Sequence, residues 1–366
     1  MSFKEVSALR KQGKLEEALE LATKDLETNP DDLWNKRSMA WVLYAYLKQN
    51  STPTNYDTFI SYLQRIIELE LGPDEKMVYD SIAFQIGVIV FGLQKEINID
   101  QQKINTLFDI TKGLAISIPS DAYSFIYKAF HKNYATWPRY LELADWWGFE
   151  NFGESDFKKE ELDNGISIMS LVEQAYIAYS KKLLEGESNI FDNHPPKINN
   201  DKIEAFLPSL ENLKNQHKEY SYPPYFHAKL LLALEKKELA LEAIIPFAKK
   251  KQNEFWVWDL LSEIFADDKE KHLACLCKAL TCKTKEDFLI KTRQKLASQL
   301  VQEQKHNEAA VEIDLIVKTR DKKGWKIPNE VATWKTSDWY KQKSDGNSNN
   351  NFYQQHLKIA EELLLS

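Results

Sequence analysis

Residues 256–280 read WVWDLLSEIFADDKEKHLACLCKAL, and a third cysteine, Cys282, follows closely. The stretch admits two readings. His272, Cys275 and Cys282 could hold a metal, or a pair of helices could carry small thiols in its core. Trp258, Leu261, Ser262 and Phe265 recur at helical spacing and share one face. Asp267 and Asp268 interrupt the pattern where a turn is needed, and Asp caps the helix that follows. Beyond the turn, His272, Cys275 and Cys282 fall on neighbouring positions of a second helix. Cys277 lies about 200° round from Cys275 and points elsewhere. A zinc site needs four convergent ligands, usually from two turns or loops. Only three could be arranged here, all on one helix. The spacing therefore predicts buried thiols in a helical core, with no metal and no cofactor.

The pattern of this stretch recurs along the chain. Ala228, Ser262 and Ala297 occupy one position of the first helix of a pair, at steps of 34 and 35 residues. Ala240, Ala274 and Ala309 keep the same two steps in the second helix. Small residues let two helices approach closely while large neighbours fill the space beside them. In QGKLEEALELATKDLETNPDD, Gly13, Leu15, Ala18, Ala22, Leu26 and Pro30 take the corresponding places. Val6 and Ala40 are again 34 apart, so a second unit starts near Leu33, with a longer connection over 48–55. A third follows Pro73, with Tyr79, Ile82, Ala83 and Ile86 in pattern.

This register resembles the tetratricopeptide repeat superfamily over about half of the chain. The resemblance implies an all-α fold, a solenoid of helix pairs wound into a right-handed superhelix, with irregular helices in the middle. It also implies a concave groove lined by the first helix of each pair. The groove-facing positions are Trp34, Arg37, Trp41 and Tyr44 near the N-terminus. In the C-terminal block they are Tyr225, Lys229, Trp256, Asp259, Glu263, Lys291 and Gln294. Trp and Tyr beside Arg are the residues of protein–protein hot spots, so the expected ligand is a protein, as a peptide segment or a helix.

The expected organisation is 1–95 as N-terminal repeats, 96–200 as the irregular middle, 201–340 as C-terminal repeats, 341–352 as a linker and 353–366 as an amphipathic helix. In the middle, helical periodicity runs over 101–116, 120–134, 138–148, 165–185 and 201–219, without the 34-residue signature. The segment TWPRYLELADWWGFENFGESDF (136–157) holds Trp137, Tyr140, Trp146, Trp147, Phe149, Phe152 and Phe157. Aromatics this dense serve first as core, here a plug joining the irregular helices to the array, with an aromatic partner-binding patch as the other reading. Residues 186–201 read as a loop or block boundary, and KQKSDGNSNNN (341–351) as a linker. The C-terminal helix beyond it either docks back as a cap or leads into further chain. More narrowly, WWGFENF (146–152), ISIMSLVEQAYIAYSKKLL (166–184), ACLCKALTCKTKEDFLIKTRQKLA (274–297) and GWKIP (324–328) resemble an uncharacterised bacterial family. That resemblance implies a helical repeat region followed by OB-fold-like domains, in some members within mobile conflict systems. This chain departs from it in having no strand-rich C-terminal half.

Composition narrows the function. Net charge is −7, which gives no global attraction for phosphate backbones. A local basic run, KTRDKKGWK (318–326), with Lys283, Lys285, Lys291, Arg293 and Lys295 nearby, leaves nucleic acid open but not favoured. The three cysteines do not make a disulfide framework and point to a reducing, cytoplasmic setting. The N-terminus has no signal-peptide core. The longest apolar stretch, AFQIGVIVFGL (83–93), is too short to span a bilayer. No phosphate-binding glycine loop, H-E-x-x-H or G-x-S-x-G occurs. The sequence thus points to a soluble, non-catalytic interaction scaffold; the other readings are a nucleic-acid-associated component of a bacterial conflict system and an enzyme hidden in the irregular middle.

Overall fold

The computed structural model describes residues 2–161, 165–186, 196–343 and 348–365. The centres of the two expected loops, 187–195 and 344–347, lie outside the described residues. The chain divides into two compact units, Met1–Lys182 and Leu183–Ser366.

The first unit is built from α1 (Ser2–Lys11), α2 (Leu15–Thr28), α3 (Leu33–Gln49), α4 (Tyr56–Ile67), α5 (Lys76–Leu93), α6 (Gln101–Lys112), α7 (Asp121–His131), α8 (Tyr140–Trp147) and most of α9 (Leu171–Glu185). Each odd-numbered helix from α1 to α7 packs on the even-numbered one after it, and α1, α3, α5 and α7 pack successively on one another. The helix-pair arrangement thus continues through α6–α8, where the 34-residue signature has already faded. The helical run expected over 165–185 is shorter. Ser167–Ile168 pairs as a strand, β2, antiparallel to β1 at Glu160–Glu161. The helix begins after Ser170, whose hydroxyl accepts from Glu173 N–H at 3.1 Å and caps it.

The second unit contains α10 (Asn200–Gln216), α11 (Pro223–Ala233), α12 (Lys237–Lys250), α13 (Phe255–Ile264), α14 (Lys269–Thr281), α15 (Glu286–Gln302), α16 (His306–Lys323), α17 (Asn329–Thr336), α18 (Asp338–Lys341) and α19 (Asn350–Glu362). Helices α11/α12, α13/α14 and α15/α16 are antiparallel pairs. Every residue of the two small-residue series, Ala228, Ser262 and Ala297 with Ala240, Ala274 and Ala309, is completely buried. Three of the within-pair turns share one geometry. Lys14, Lys236 and Lys305 each donate a backbone N–H to the carbonyl five residues back, on Leu9, Leu231 and Leu300, at 3.0, 3.0 and 2.9 Å. The residue before each lysine has positive φ. Only the first is glycine (Gly13); Glu235 and Gln304 take the same conformation with side chains. Between α13 and α14 the turn differs: Asp268 accepts from Lys271 N–H at 3.1 Å and caps α14.

The C-terminal helix α19 docks back onto α14. Ala360 and Leu364 enter the core shared by α12, α13 and α14, and Tyr353 packs beside Leu276, Cys277 and Leu300. At the α15–α16–α19 junction lies a buried polar network. Arg293 donates to Glu312 at 2.7 Å and to Tyr353 Oη at 3.2 Å. Glu312 also accepts from Asn349 Nδ2 at 2.7 Å and from the Tyr353 hydroxyl. Glu312 is fully buried.

One expectation is corrected. The apolar stretch at 83–93 belongs to a longer helix, α5, whose 18 residues are long and apolar enough by length and composition to cross a membrane. In the folded chain the helix is packed between its neighbours, with Val78, Ile82, Ala83, Ile86, Ile89, Val90 and Leu93 buried. Its apolar character nevertheless extends beyond that inner face.

Candidate partner-binding faces

The four N-terminal positions expected in a groove lie together on α3. Trp34 is exposed, and the Arg37 guanidinium sits 4.5 Å from its ring centre. Arg37 is also held by Glu75, with Nε donating to Oε2 at 2.8 Å. That hydrogen bond and its charge raise the Arg37 pKa further. Trp41 and Tyr44 meet edge to face at 5.5 Å. Arg10 of α1 stands over Trp41 at 5.6 Å, and Phe3 packs on Trp34 at 5.2 Å.

The sequence reading missed what continues this face. Gln85 of α5 donates to the Tyr44 hydroxyl at 3.3 Å. Beside it, Met77, Phe84 and Val88 leave 73, 38 and 43% of their surface exposed. Their spacing of seven and four residues places them on one side of α5. Phe84 touches Phe125 of α7 at 5.2 Å. Phe125 can lie there because position 87 is glycine: a Cβ at Gly87 would stand 2.5 Å from its ring. The signal was present in the sequence, since a helix apolar on all sides must bury more than one face. Which side remains uncovered depends on the packing of α3 and α7.

The seven C-terminal positions lie on α11, α13 and α15. Tyr225 and Trp256 meet edge to face at 4.8 Å, and Lys229 stands 5.6 Å from the Tyr225 ring centre. Burial pushes the Tyr225 phenol well up. Asp259 and Glu263 both accept from Lys295 Nζ, at 2.8 and 2.6 Å. Burial works against the Lys295 charge, but the two carboxylates outweigh it and raise its pKa. Asp259 also accepts from the Thr292 hydroxyl at 2.9 Å. Gln294 donates to Glu330 at 2.9 Å. Lys291 is exposed and, with Gln294, lines a polar cleft of about 540 Å³ that also includes His272, Gln299 and Glu303. Sequence reasoning did not show that Lys295 pairs with Asp259 and Glu263, or that Glu330 accepts from Gln294. Both partners come from neighbouring elements.

Cys275 and Cys277 are fully buried, in separate apolar clusters. Burial drives both thiols far up, and that of Cys282 up to about 11. His272 donates Nδ1–H to the Ser262 carbonyl at 2.7 Å. Among the described residues no group of three or more His, Cys, Asp or Glu side chains is placed to hold a metal ion.

Of the seven 136–157 aromatics, Trp137, Tyr140, Trp147 and Phe152 are buried, and Trp146, Phe149 and Phe157 are half-buried. Trp137, Tyr140 and Trp147 are fully buried, and the Tyr140 hydroxyl bonds Tyr127 Oη at 2.9 Å and His131 Nδ1 at 2.8 Å. Burial lowers the His131 pKa from 6.5 to about 4. The unfolded chain takes up this proton near pH 6.5 and the folded chain only near pH 4. Stability from the neutral ring is therefore full above pH 6.5 and falls as pH drops toward 4, by up to about 3 kcal/mol. Urea midpoints measured at pH 7 and pH 4.5 should converge in His131→Gln relative to the wild type. Equal pH dependence in both proteins would remove His131 from this role.

A family model described as a domain of unknown function, DUF7017, matches residues 221–360, from just before α11 into α19. No curated protein matches the sequence. The crystal structure of the tetratricopeptide-repeat domain of P58(IPK) aligns with 99% of this chain and 97% of its own, at 12% identity and a TM-score of 0.21. A likeness that slight carries no argument. The all-α, tetratricopeptide-like architecture rests on the buried small-residue series, the shared turns and the stacked helix pairs.

Proposed function

We propose that the chain is a non-catalytic interaction scaffold, and that the face of α3, α5 and α7 in the first unit receives an amphipathic helix or peptide of a partner protein. One observation carries the reading. Met77, Phe84 and Val88 of α5 are exposed next to the aromatic side chains of α3 and α7. An apolar helix stripe without intramolecular cover is the kind of surface partners use. The second-unit positions support a partner less directly, because Asp259, Glu263 and Gln294 are already engaged within the chain. Three unpaired cysteines are in keeping with a reducing, cytoplasmic setting.

Phe84→Glu with Val88→Glu places two charges on the exposed side of α5 and leaves its buried side intact. The tagged full-length variant, used for affinity capture from nuclease-treated extract of its source cells, should lose the principal wild-type partner at least tenfold. Its melting curve should stay within a few degrees of the wild type. Capture of the same proteins in the same amounts by both would reject this face as the binding surface.

A further inference from the structure

The α15–α16 end of the second unit carries a second surface of different chemistry. The fold removes part of the basic stretch read from the sequence. Arg293 is buried against Glu312 and Glu286, and Lys295 is held by Asp259 and Glu263. Lys323 donates to Asp287 at 2.7 Å. This bridge brings the start of α15 against the end of α16. Around it, Lys283, Lys285, Lys291, Lys318, Lys322 and Lys326 are exposed. None of the six makes a side-chain ion pair among the described residues.

Two large aromatic side chains stand out between these lysines. Phe288, next to the bridging Asp287, leaves 59% of its surface exposed, and Trp325 leaves 46%. Trp325 is fixed by its backbone. Gly324 ends α16 at φ 67, and Trp325 N–H bonds the Arg320 carbonyl at 2.9 Å. Arg320 in turn donates to the Lys326 carbonyl at 2.6 Å, closing the turn from its other side. The indole is therefore presented to solvent from a tied turn rather than from a loose loop. Lys318 and Lys322, four residues apart, share one side of α16, and the Trp325 turn follows directly on its end.

We infer that this basic aromatic platform binds single-stranded nucleic acid: phosphates meet the lysines, and a base stacks on Trp325, with Phe288 as a second stacking position. Stacking accepts any base face, and the lysines supply charge without sequence preference. A duplex keeps its bases stacked on one another and offers the indole nothing. Phe288 and Trp325 make no ring contact with each other among the described residues, and Lys323, paired with Asp287, lies 5.7 Å from the Trp325 ring centre, so they form no single apolar wedge, which favours a strand over a lipid surface.

The test is fluorescence anisotropy of full-length protein with a labelled mixed-sequence 20-nucleotide single strand, as DNA and as RNA, at 50–200 mM salt. Binding is expected to weaken with salt, with a log–log slope of roughly −0.7 per phosphate contacted. Trp325→Ala should weaken it about tenfold, and Lys318→Glu with Lys322→Glu should weaken it further and flatten the slope. All three residues are exposed, so circular dichroism and melting should match the wild type. A duplex of the same sequence should bind several-fold more weakly. The proposal fails if no strand binds at 50 mM salt and 100 µM protein, or if Trp325→Ala binds as the wild type does. It also fails if anionic phosphatidylserine vesicles bind and the oligonucleotides do not.

Discussion

Glu312→Ala is expected to destabilise the second unit by about 3–5 kcal/mol, the usual cost of stripping one partner from a buried ion pair. Glu312 is fully buried and accepts from Arg293, Asn349 and Tyr353. Its loss leaves the Arg293 guanidinium, itself nearly buried, with the exposed Glu286 carboxylate at 2.9 Å as its remaining anionic partner among the described residues. The Tyr353 hydroxyl on α19 loses its acceptor as well, and Asn349 beside α19 loses one of two, keeping the Glu308 carbonyl at 2.9 Å. In a unit of this size the change should lower the melting temperature by about 10 °C. Amide hydrogen exchange in α19 should accelerate before that in α13, because two of the three bonds lost tie down α19. Replacing both charges, as Arg293→Met with Glu312→Leu, should recover the part of the loss that comes from the stranded Arg293 charge, while Tyr353 and Asn349 stay without the Glu312 acceptor. A melting temperature for Glu312→Ala within 2 °C of the wild type would mean that water reaches the site and the network is not structural.

The second large effect is expected in the first unit. Trp147 is fully buried at the end of α8. It stacks on Tyr123 at 5.0 Å and touches Tyr127 at 4.7 Å and Phe152 at 4.3 Å. Its carbonyl accepts from the Tyr123 hydroxyl at 2.9 Å. Trp147→Ala removes an indole from among rigid rings that cannot collapse into the space, so the cost should be about 3–5 kcal/mol. Urea unfolding followed by near-ultraviolet circular dichroism reports it directly, because the lost signal comes from this cluster. Trp146→Ala is the internal control. Trp146 is only half-buried, so its substitution should cost clearly less. Equal losses for the two would argue that the cluster is loosely packed.

Both sites show where reading the chain in one dimension succeeds. The small-residue series was readable because a helix pair permits nothing larger at its crossing, and each crossing repeats at a fixed step. The fate of the cysteines followed from the same geometry: 275 and 277 face different sides of one helix, so they enter different cores. The aromatic segment was readable as core because so many rings in twenty-two residues cannot all face water. The helix pairs of α6–α8 were harder to see, because large aromatics there replace the small residues that mark the crossing elsewhere.

Helix periodicity, turn residues and the 34-residue step thus determined the fold class and most of the core from sequence alone, since these are local properties that neighbouring residues enforce. Tertiary structure decided which charged and apolar side chains are available to a partner. Arg293 and Lys295 read as surface cations until Glu312, Asp259 and Glu263, distant in sequence or on another helix, neutralise them. Phe84 and Val88 belong to the apolar stretch 83–93, and only the packing around α5 shows that they stay exposed. Availability is set by what other elements bring to a side chain. No local pattern contains that information.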